Sequence, residues 1–202
     1  MYRLKEDHIE EIEIKKSRFI CYLHRCEDED DAKDFILRIK KDHPNATHHC
    51  YAFVLGEHNE VQRSNDDGEP AGTAGVPMLE CLTKHDMQDI AAVVVRYFGG
   101  IKLGAGGLIR AYSKSVSQAL EEAIITKKQK MLKYTFTFPY HFIGKIDYLF
   151  RANDIEIISK DYGEDVTYLF ISKDNLDDKI SEITNGSFLP EFLEECIIDV
   201  EI

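Results

Sequence analysis

The sequence of 202 residues lacks the patterns that mark several common protein classes. No stretch approaches the ~20 apolar residues that a membrane-spanning helix needs, and the first residues, MYRLKEDH, are too polar for a secretory signal. The 5 cysteines include no C-x-x-C pair, so the sequence indicates neither a disulfide framework nor a zinc knuckle. We therefore predict a cytoplasmic protein with reduced thiols, no membrane partner and no bound metal.

Nucleotide-binding motifs are also missing. The sequence contains no G-x-x-x-x-G-K-[ST], and Gly104-Ala105-Gly106-Gly107 lacks the spacing of the dinucleotide fingerprint. An ATPase or a dehydrogenase is therefore not indicated. We predict no cofactor and no catalytic residues, and we favour a protein that is not an enzyme.

Acidic residues are absent from Ile90 to Leu120, although the whole chain has a formal net charge of −12. The apolar run Ile90 to Val95 predicts a strand covered on both faces, followed by a glycine-rich turn and a helix. Glycines permit close backbone approach, and the start of a helix attracts anions. We predict nucleic-acid or phosphate binding here, although such a turn also serves simply to pack a helix on a strand. The predicted binding residues are Arg96, Gly99, Gly100, Lys102, Gly104, Gly106, Gly107, Arg110 and Lys114.

The predicted helix after the turn has one apolar stripe, with spacings of three and four residues. We expect the aromatic residues Tyr97, Phe98 and Tyr112 to belong to the core rather than to an exposed stacking platform, because they flank the strand or lie in the stripe. The stripe consists of Leu108, Ile109, Tyr112, Val116, Ala119, Leu120, Ala123 and Ile124.

The element pattern predicts an α+β protein of two domains, residues 1–128 and 131–202, joined at the basic run Thr126 to Lys130. In the second domain the predicted order β-α-β-β-α-β is that of a ferredoxin-like fold. This domain has a net charge of −9, against −3 for residues 1–130, so we exclude it as a general nucleic-acid surface. The predicted strands are 17–25, 50–55, 61–63, 90–95, 132–138, 154–159, 166–172 and 192–201. The predicted helices start near residues 27, 76, 142 and 174, and a further one follows the glycine-rich turn.

Two further polar groups leave alternatives open. The loop from Asn65 to Gly75 contains Asp66, Asp67, Glu69 and Thr73. Its carboxylates suit a magnesium ion or acid/base work, or a structural turn in which they accept hydrogen bonds from nearby backbone N–H groups. The run His48-His49-Cys50 begins a predicted strand. A zinc site there needs further ligands that no spacing selects, so we favour packed or hydrogen-bonded histidines.

Four motifs, in order, resemble the IMPACT family, and specifically its bacterial two-domain members of the YigZ type. They are KKSRFI, THHCYAF, DDGEPAGTAGVP and VVVRYFGGIKLGAGGLIRAY. The resemblance implies a first domain similar to domain four of elongation factor G, and a ferredoxin-like second domain similar to domain five of that factor. It also implies a regulatory role in translation. Eukaryotic members limit activation of an amino-acid-starvation kinase, although this chain shows no sign of their amino-terminal RWD domain.

Three functions follow as hypotheses. The first is a translation-associated regulator that binds RNA, the ribosome or another translation component through the basic glycine-rich turn. The second is an enzyme acting on a phosphorylated small molecule, with Asp66, Asp67 or Glu69 as base or metal ligand. The third is a protein-binding adaptor that uses the acidic second domain. The sequence leaves the oligomeric state open.

Overall fold

The computed structural model describes residues 1–202, which form two compact units. Unit 1 contains Met1–Lys127 and Asp199–Ile202, and unit 2 contains Lys128–Ile198. None of the helices combines the length and apolar content needed to cross a bilayer. The elements of unit 1 are β1 (Tyr2–Leu4), β2 (His8–Ile14), β3 (Ser17–Arg25), α1 (Glu29–Asp42), β4 (His48–Leu55), β5 (Val61–Asn65), α2 (Gly75–Lys84), β6 (Ile90–Tyr97) and α3 (Ala105–Glu122).

The sheet of unit 1 has the strand order β2-β3-β6-β4-β5, and each neighbouring pair is antiparallel. Its central strand β6 is buried from Ile90 to Arg96, as predicted for a strand covered on both faces. Successive side chains of a strand point to opposite faces. Ala92 and Val94 therefore pack in the core beneath α2 and α3, whereas Val93 and Val95 pack in the core beneath α1.

Helix α1 begins within an acidic cluster, Glu27 to Asp31, close to the predicted start near residue 27. The Asp28 side chain is its N-cap and accepts hydrogen bonds from the N–H groups of Asp30 and Asp31, 2.9 Å each. These bonds satisfy two of the amides that the first helical turn leaves unpaired. The acidic cluster thus serves as a helix cap.

Unit 2 is built around a second sheet and a third core. Strand β7 pairs with β9 and β10, and β9 pairs with β8, which gives the strand order β10-β7-β9-β8. The observed sequence of elements, β-α-β-β-α-β, is the predicted one. A short 3₁₀ helix, Tyr140–Phe142, precedes α4. The elements are β7 (Ile125–Phe138), α4 (Ile143–Ala152), β8 (Glu156–Tyr162), β9 (Val166–Ser172), α5 (Asp177–Thr184) and β10 (Glu191–Glu201).

The basic run Thr126 to Lys130 lies inside β7, and the division between the two units falls within it, between Lys127 and Lys128. Other predicted details were wrong. Ile109 and Ile124 are exposed rather than part of the buried stripe, and Ile124 lies beyond the end of α3. Strands β1 and β2 were not predicted.

Candidate functional site

The candidate site begins with three residues that lie side by side across the sheet of unit 1. The strand register pairs Phe19 of β3 with Arg96 of β6, and Arg96 with His48 of β4. Arg96 follows Ala92 and Val94 at intervals of two, so its side chain lies on the α3 face. The sheet therefore places a cation between an aromatic ring and a histidine beneath α3.

Arg96 is buried and forms an ion pair with Glu69 from the polar loop. Its Nη1 donates to Glu69 Oε1 at 2.6 Å, and the Tyr112 hydroxyl of α3 donates to the same oxygen at 2.8 Å. Burial raises the pKa of Tyr112 well above its ordinary value, so its hydroxyl stays protonated. A buried carboxylate needs such partners to offset its lost hydration. Arg96 was predicted as a binding residue, but it is 5% exposed and its Nη1 is already paired.

Arg96 nevertheless keeps one unsatisfied donor. Its Nε–H is buried without a hydrogen-bond partner. Leaving a buried donor unpaired costs about 1–3 kcal/mol, so such groups are uncommon in folded proteins. The guanidinium group also lies 5.4 Å from the ring centre of Phe19 and 5.5 Å from that of Phe98. These rings leave part of the cation without a polar neighbour.

A cavity of about 360 Å³ opens beside this ion pair. Its lining combines the buried Arg96 and Glu69 with His48 and with the turn that leads into α3. Apolar walls come from Pro70, Phe98, Leu103 and Leu108, and Lys102 stands at the turn. The sequence-predicted turn and polar loop therefore meet at one site.

The first turn of α3 faces this site with unpaired backbone amides. Gly104 is the N-cap, with φ +72°, and it has no side chain to accept from them. The N–H groups of Ala105, Gly106 and Gly107 make no hydrogen bond within the protein, whereas Leu108 N–H donates to Gly104 O at 2.9 Å. Together with the helix dipole, unpaired amides favour a bound anion.

Gly99 has a packing role. A Cβ at this position would collide with the backbone carbonyl of Lys16 and the backbone nitrogen of Ser17, in the turn between β2 and β3. Gly100, with φ +84°, has open space around it. The glycine turn thus contains one residue required for packing and others required for backbone conformation.

The carboxylates of the polar loop have distinct partners. Asp66 accepts from the N–H groups of Gly72, Ala74 and Gly75 at 2.8–3.0 Å, and Asp67 accepts from His49 N–H and Lys40 Nζ. Burial acts to raise the pKa of Asp66, but its three backbone hydrogen bonds hold the pKa below the ordinary value. Asp66 and Asp67 therefore perform the structural role, as one of the two interpretations predicts. The Thr73 hydroxyl likewise donates to Pro70 O.

Arg110 and Lys114 lie outside the cavity. Both are exposed on α3, one turn apart, and they line a groove with Lys84 and His85 of α2. Lys102 is exposed as well. None of Lys102, Arg110 and Lys114 makes a salt bridge or a hydrogen bond within the protein. The predicted basic residues are thus divided, with Lys102 at the edge of the cavity and Arg110 and Lys114 on an exposed face of α3.

The aromatic predictions were partly right. Tyr112 is fully buried, and Tyr97 is half-buried against the core beneath α1. Phe98 is 47% exposed, because β6 ends at Tyr97 and the chain leaves the sheet there. Phe98 therefore borders the cavity instead of the core.

The histidines at the start of β4 are hydrogen-bonded, as the favoured interpretation predicts. His48 Nδ1 lies 2.8 Å from Asp67 O, and His49 Nε2 lies 2.9 Å from His43 O. Burial raises the pKa of Cys50 to about 12, which keeps its thiol protonated and weakens it as a metal ligand.

A second group with metal-binding side chains lies on the other side of unit 1. Ligand atoms of His24, Cys26 and Asp31 lie within 4.8 Å of one another. Both ring nitrogens of His24 already face carboxylates, Asp7 at 2.6 Å and Asp31 at 3.3 Å. Burial raises the pKa of Cys26 to about 12, so this thiol too is protonated. His24, Cys26 and Asp31 are thus held by hydrogen bonds in this structure.

Sequence reasoning missed His48, Leu103 and Leu108 as lining residues of the cavity. The alternation of β4 fixes the face of His48, but only the pairing of β4 with β6 brings it beside Arg96. That pairing joins residues 48 positions apart and has no local signal in the chain.

Comparisons with known proteins cover both units. The Impact N-terminal domain family matches residues 15–120, and the family described as Domain of unknown function (DUF1949) matches residues 136–187. The IMPACT family member YvyE of Bacillus subtilis is 48% identical over 92% of this chain and 87% of its own length. The IMPACT family member YigZ of Escherichia coli is 45% identical over 74% of each chain. A crystal structure described as that of a hypothetical protein aligns with a TM-score of 0.61 at 37% identity, covering 96% of this chain and 97% of that one.

Proposed function

The chain belongs to the IMPACT family, and we propose that it is a translation-associated regulatory protein that docks on RNA of the translation machinery. The family resemblance supports the regulatory role. The RNA contact rests on the structure of unit 1. We call its docking surface the α3 surface and define it by Lys102, Arg110 and Lys114. This role requires access to ribosomes and therefore the cytoplasm.

The observation that carries the proposal is that none of these three cations forms an ion pair within the protein. They are exposed, they make no salt bridge, and no Asp or Glu occurs between Ile90 and Leu120. Lysine and arginine side chains that remain free of carboxylates can displace counterions from phosphates, which is the main source of affinity for RNA.

The groove between α2 and α3 extends this surface. Lys84 lines it opposite Arg110 and Lys114, together with Glu80, its salt-bridge partner at 3.5 Å, and Ile109 is exposed beside them. Phosphate contacts fix the position of a protein on RNA, whereas apolar and hydrogen-bonding side chains contact bases. The groove offers both kinds of contact on one helix face.

Co-sedimentation with ribosomes across a salt series tests the proposal. We expect the wild-type protein to pellet at low salt and to be released as salt rises. Arg110→Glu should weaken pelleting and reduce the slope of log affinity against log salt by about 1, because one phosphate contact is lost.

Lys41→Glu is the matched control. Lys41 is exposed on α1, which covers the opposite face of the sheet, and the substitution changes the net charge by the same amount. We expect it to pellet like the wild type. Failure of the wild type to pellet at any salt concentration, or equal impairment of both variants, would reject RNA docking through the α3 surface.

A further inference from the structure

We propose that the cavity beside the first turn of α3 binds a small phosphate monoester that also carries hydroxyl groups. This site shares Lys102 with the α3 surface but not Arg110 or Lys114, which do not line the cavity. The inference therefore does not depend on RNA docking. The cavity supplies two sets of groups, one for an anion and one for hydroxyl donors.

The anion end consists of donors that the protein leaves unused. Ala105 lines the cavity at the positive end of an 18-residue helix, and its N–H has no partner. The N–H groups of Gly106 and Gly107 in the same helical turn are also unpaired. Lys102 lines the cavity and makes no salt bridge. Arg96 also lines it, and its Nε–H is unpartnered although the residue is 5% exposed. A phosphate group accepts hydrogen bonds from several such donors at once.

The hydroxyl end consists of two acceptors that face each other. The backbone carbonyl of Asp67 can only accept, so in a neutral His48 ring the proton lies on Nδ1 and Nε2 carries a lone pair. His48 Nε2 lies 3.7 Å from Glu69 Oε2, which is beyond hydrogen-bond distance. One hydroxyl can donate to either atom, and a diol can donate to both. A ligand with adjacent hydroxyl groups fits this pair.

Glu69 does not repel the anion as a free carboxylate would. Its Oε1 is bound by Arg96 Nη1 and by the Tyr112 hydroxyl, so the ion pair is neutral as a unit. Lys102 and the helix dipole then make the electrostatic potential at the turn positive. The apolar walls, Phe98 among them, suit the carbon frame of a small ligand, and the cavity volume lies in the range of roughly 300–1,000 Å³ typical of small-molecule sites.

Isothermal titration of the full chain with ribose 5-phosphate, ribose and inorganic phosphate tests the proposal. Ribose 5-phosphate should bind more tightly than either of the others. Lys102→Ala should weaken it about tenfold, the loss expected for one charge-assisted hydrogen bond. Ala105→Pro removes one amide donor, at a first-turn position that tolerates proline, and should also weaken binding.

Two further variants separate the ends of the site. His48→Phe should reduce the affinity for ribose 5-phosphate but leave that for inorganic phosphate unchanged, because only the hydroxyl contact is lost. Lys114→Ala, one helical turn further from the cavity than Arg110, should leave both affinities unchanged even if it weakens ribosome binding. Thermal unfolding of each variant shows whether it is folded.

The source of the phosphate is resolved with two short RNAs that differ only in a 5′-phosphate. Tighter binding of the phosphorylated RNA, together with binding of ribose 5-phosphate, supports the site and assigns it to an RNA end. Equal binding of the two RNAs, with ribose 5-phosphate bound, supports a free metabolite. Absence of saturable binding by both ribose 5-phosphate and inorganic phosphate overturns the proposal, and so does ribose binding as tightly as its phosphate.

Discussion

The polar loop, residues 65–75, and the glycine turn, residues 98–107, are both rich in glycine, but their polar groups differ in what they bind. In the loop, Asp66 accepts three backbone hydrogen bonds and Asp67 accepts two from His49 and Lys40. In the turn, Lys102 and the first amides of α3 have no partner within the protein. Density of polar residues therefore does not identify a binding site. Unused donors do.

The largest effect is expected at Glu69, where the two segments meet. Glu69→Ala leaves the Arg96 charge buried without its partner and should lower the free energy of unfolding by about 3–5 kcal/mol. Urea denaturation at neutral pH measures this loss. The control is Glu11→Ala, which removes the partner of the exposed Arg18, 2.8 Å away, and should cost no more than about 1 kcal/mol. Equal losses of unfolding free energy in the two variants would show that burial does not increase the contribution of the Glu69–Arg96 pair to stability.

A substitution in the turn that should act on folding is Gly99→Ala. The added Cβ meets the backbone of Lys16 and Ser17, which cannot move without shifting β3, so we expect a loss of about 3 kcal/mol. Gly144→Ala, on the first turn of α4 with open space around it, is the control and should be neutral or stabilising. Thermal unfolding of both variants compares them. A fully stable Gly99→Ala would mean that this part of the turn is not held against β3.

Asp66→Ala should cost about 2 kcal/mol at neutral pH, since it removes a carboxylate that accepts from three backbone amides. The pKa of Asp66 in the folded state is below the ordinary value of 3.8. Its contribution is therefore complete above pH 3.8 and is lost as the pH falls through the lower, folded-state pKa. Unfolding measured from neutral to acid pH should show the difference between variant and wild type shrinking only at the acid end. A constant difference down to the most acidic pH would contradict this linkage.

The smallest effect on stability is expected at the α3 surface. Arg110 and Lys114 make no salt bridge or hydrogen bond, so the double variant Arg110→Ala/Lys114→Ala should change the free energy of unfolding by less than about 0.5 kcal/mol. The same variant should lose ribosome binding in the salt series. A large loss of stability would show that these cations hold α3 in place, and the contrast between loop and turn would fail.

The sequence was sufficient for most elements with a strong local pattern. The bounds of β3, Ser17–Arg25, and β9, Val166–Ser172, were predicted without error, because a central run of apolar and aromatic residues marks each strand. Strand β2 was missed since it lies at the sheet edge with only Ile12 buried, which leaves a weak pattern. Where a strand ends was harder to predict. Phe98 was expected in the core, but it lies just beyond the last residue of β6 and is exposed.

The candidate site was only partly predictable. The glycines, Lys102 and the loop were found because they cluster in the sequence. The pairing of Arg96 with Glu69 was not, since it depends on how a loop folds back over a sheet whose strand order the sequence does not state. Charge type alone suggested that Arg96 is free to bind, whereas its position beneath α3 makes it a buried partner of Glu69.

Because Asp199–Ile202 belong to unit 1, this unit is complete only when the end of the chain has been synthesised. Asp199 pairs with Arg25 at 2.6 Å, and Ile202 N–H donates to Ile125 O at 3.2 Å. Domains generally fold as they leave the ribosome, amino-terminal part first. Most of unit 1 therefore folds before residues 199–202 have been synthesised. These four residues join it only after all of unit 2 has been translated.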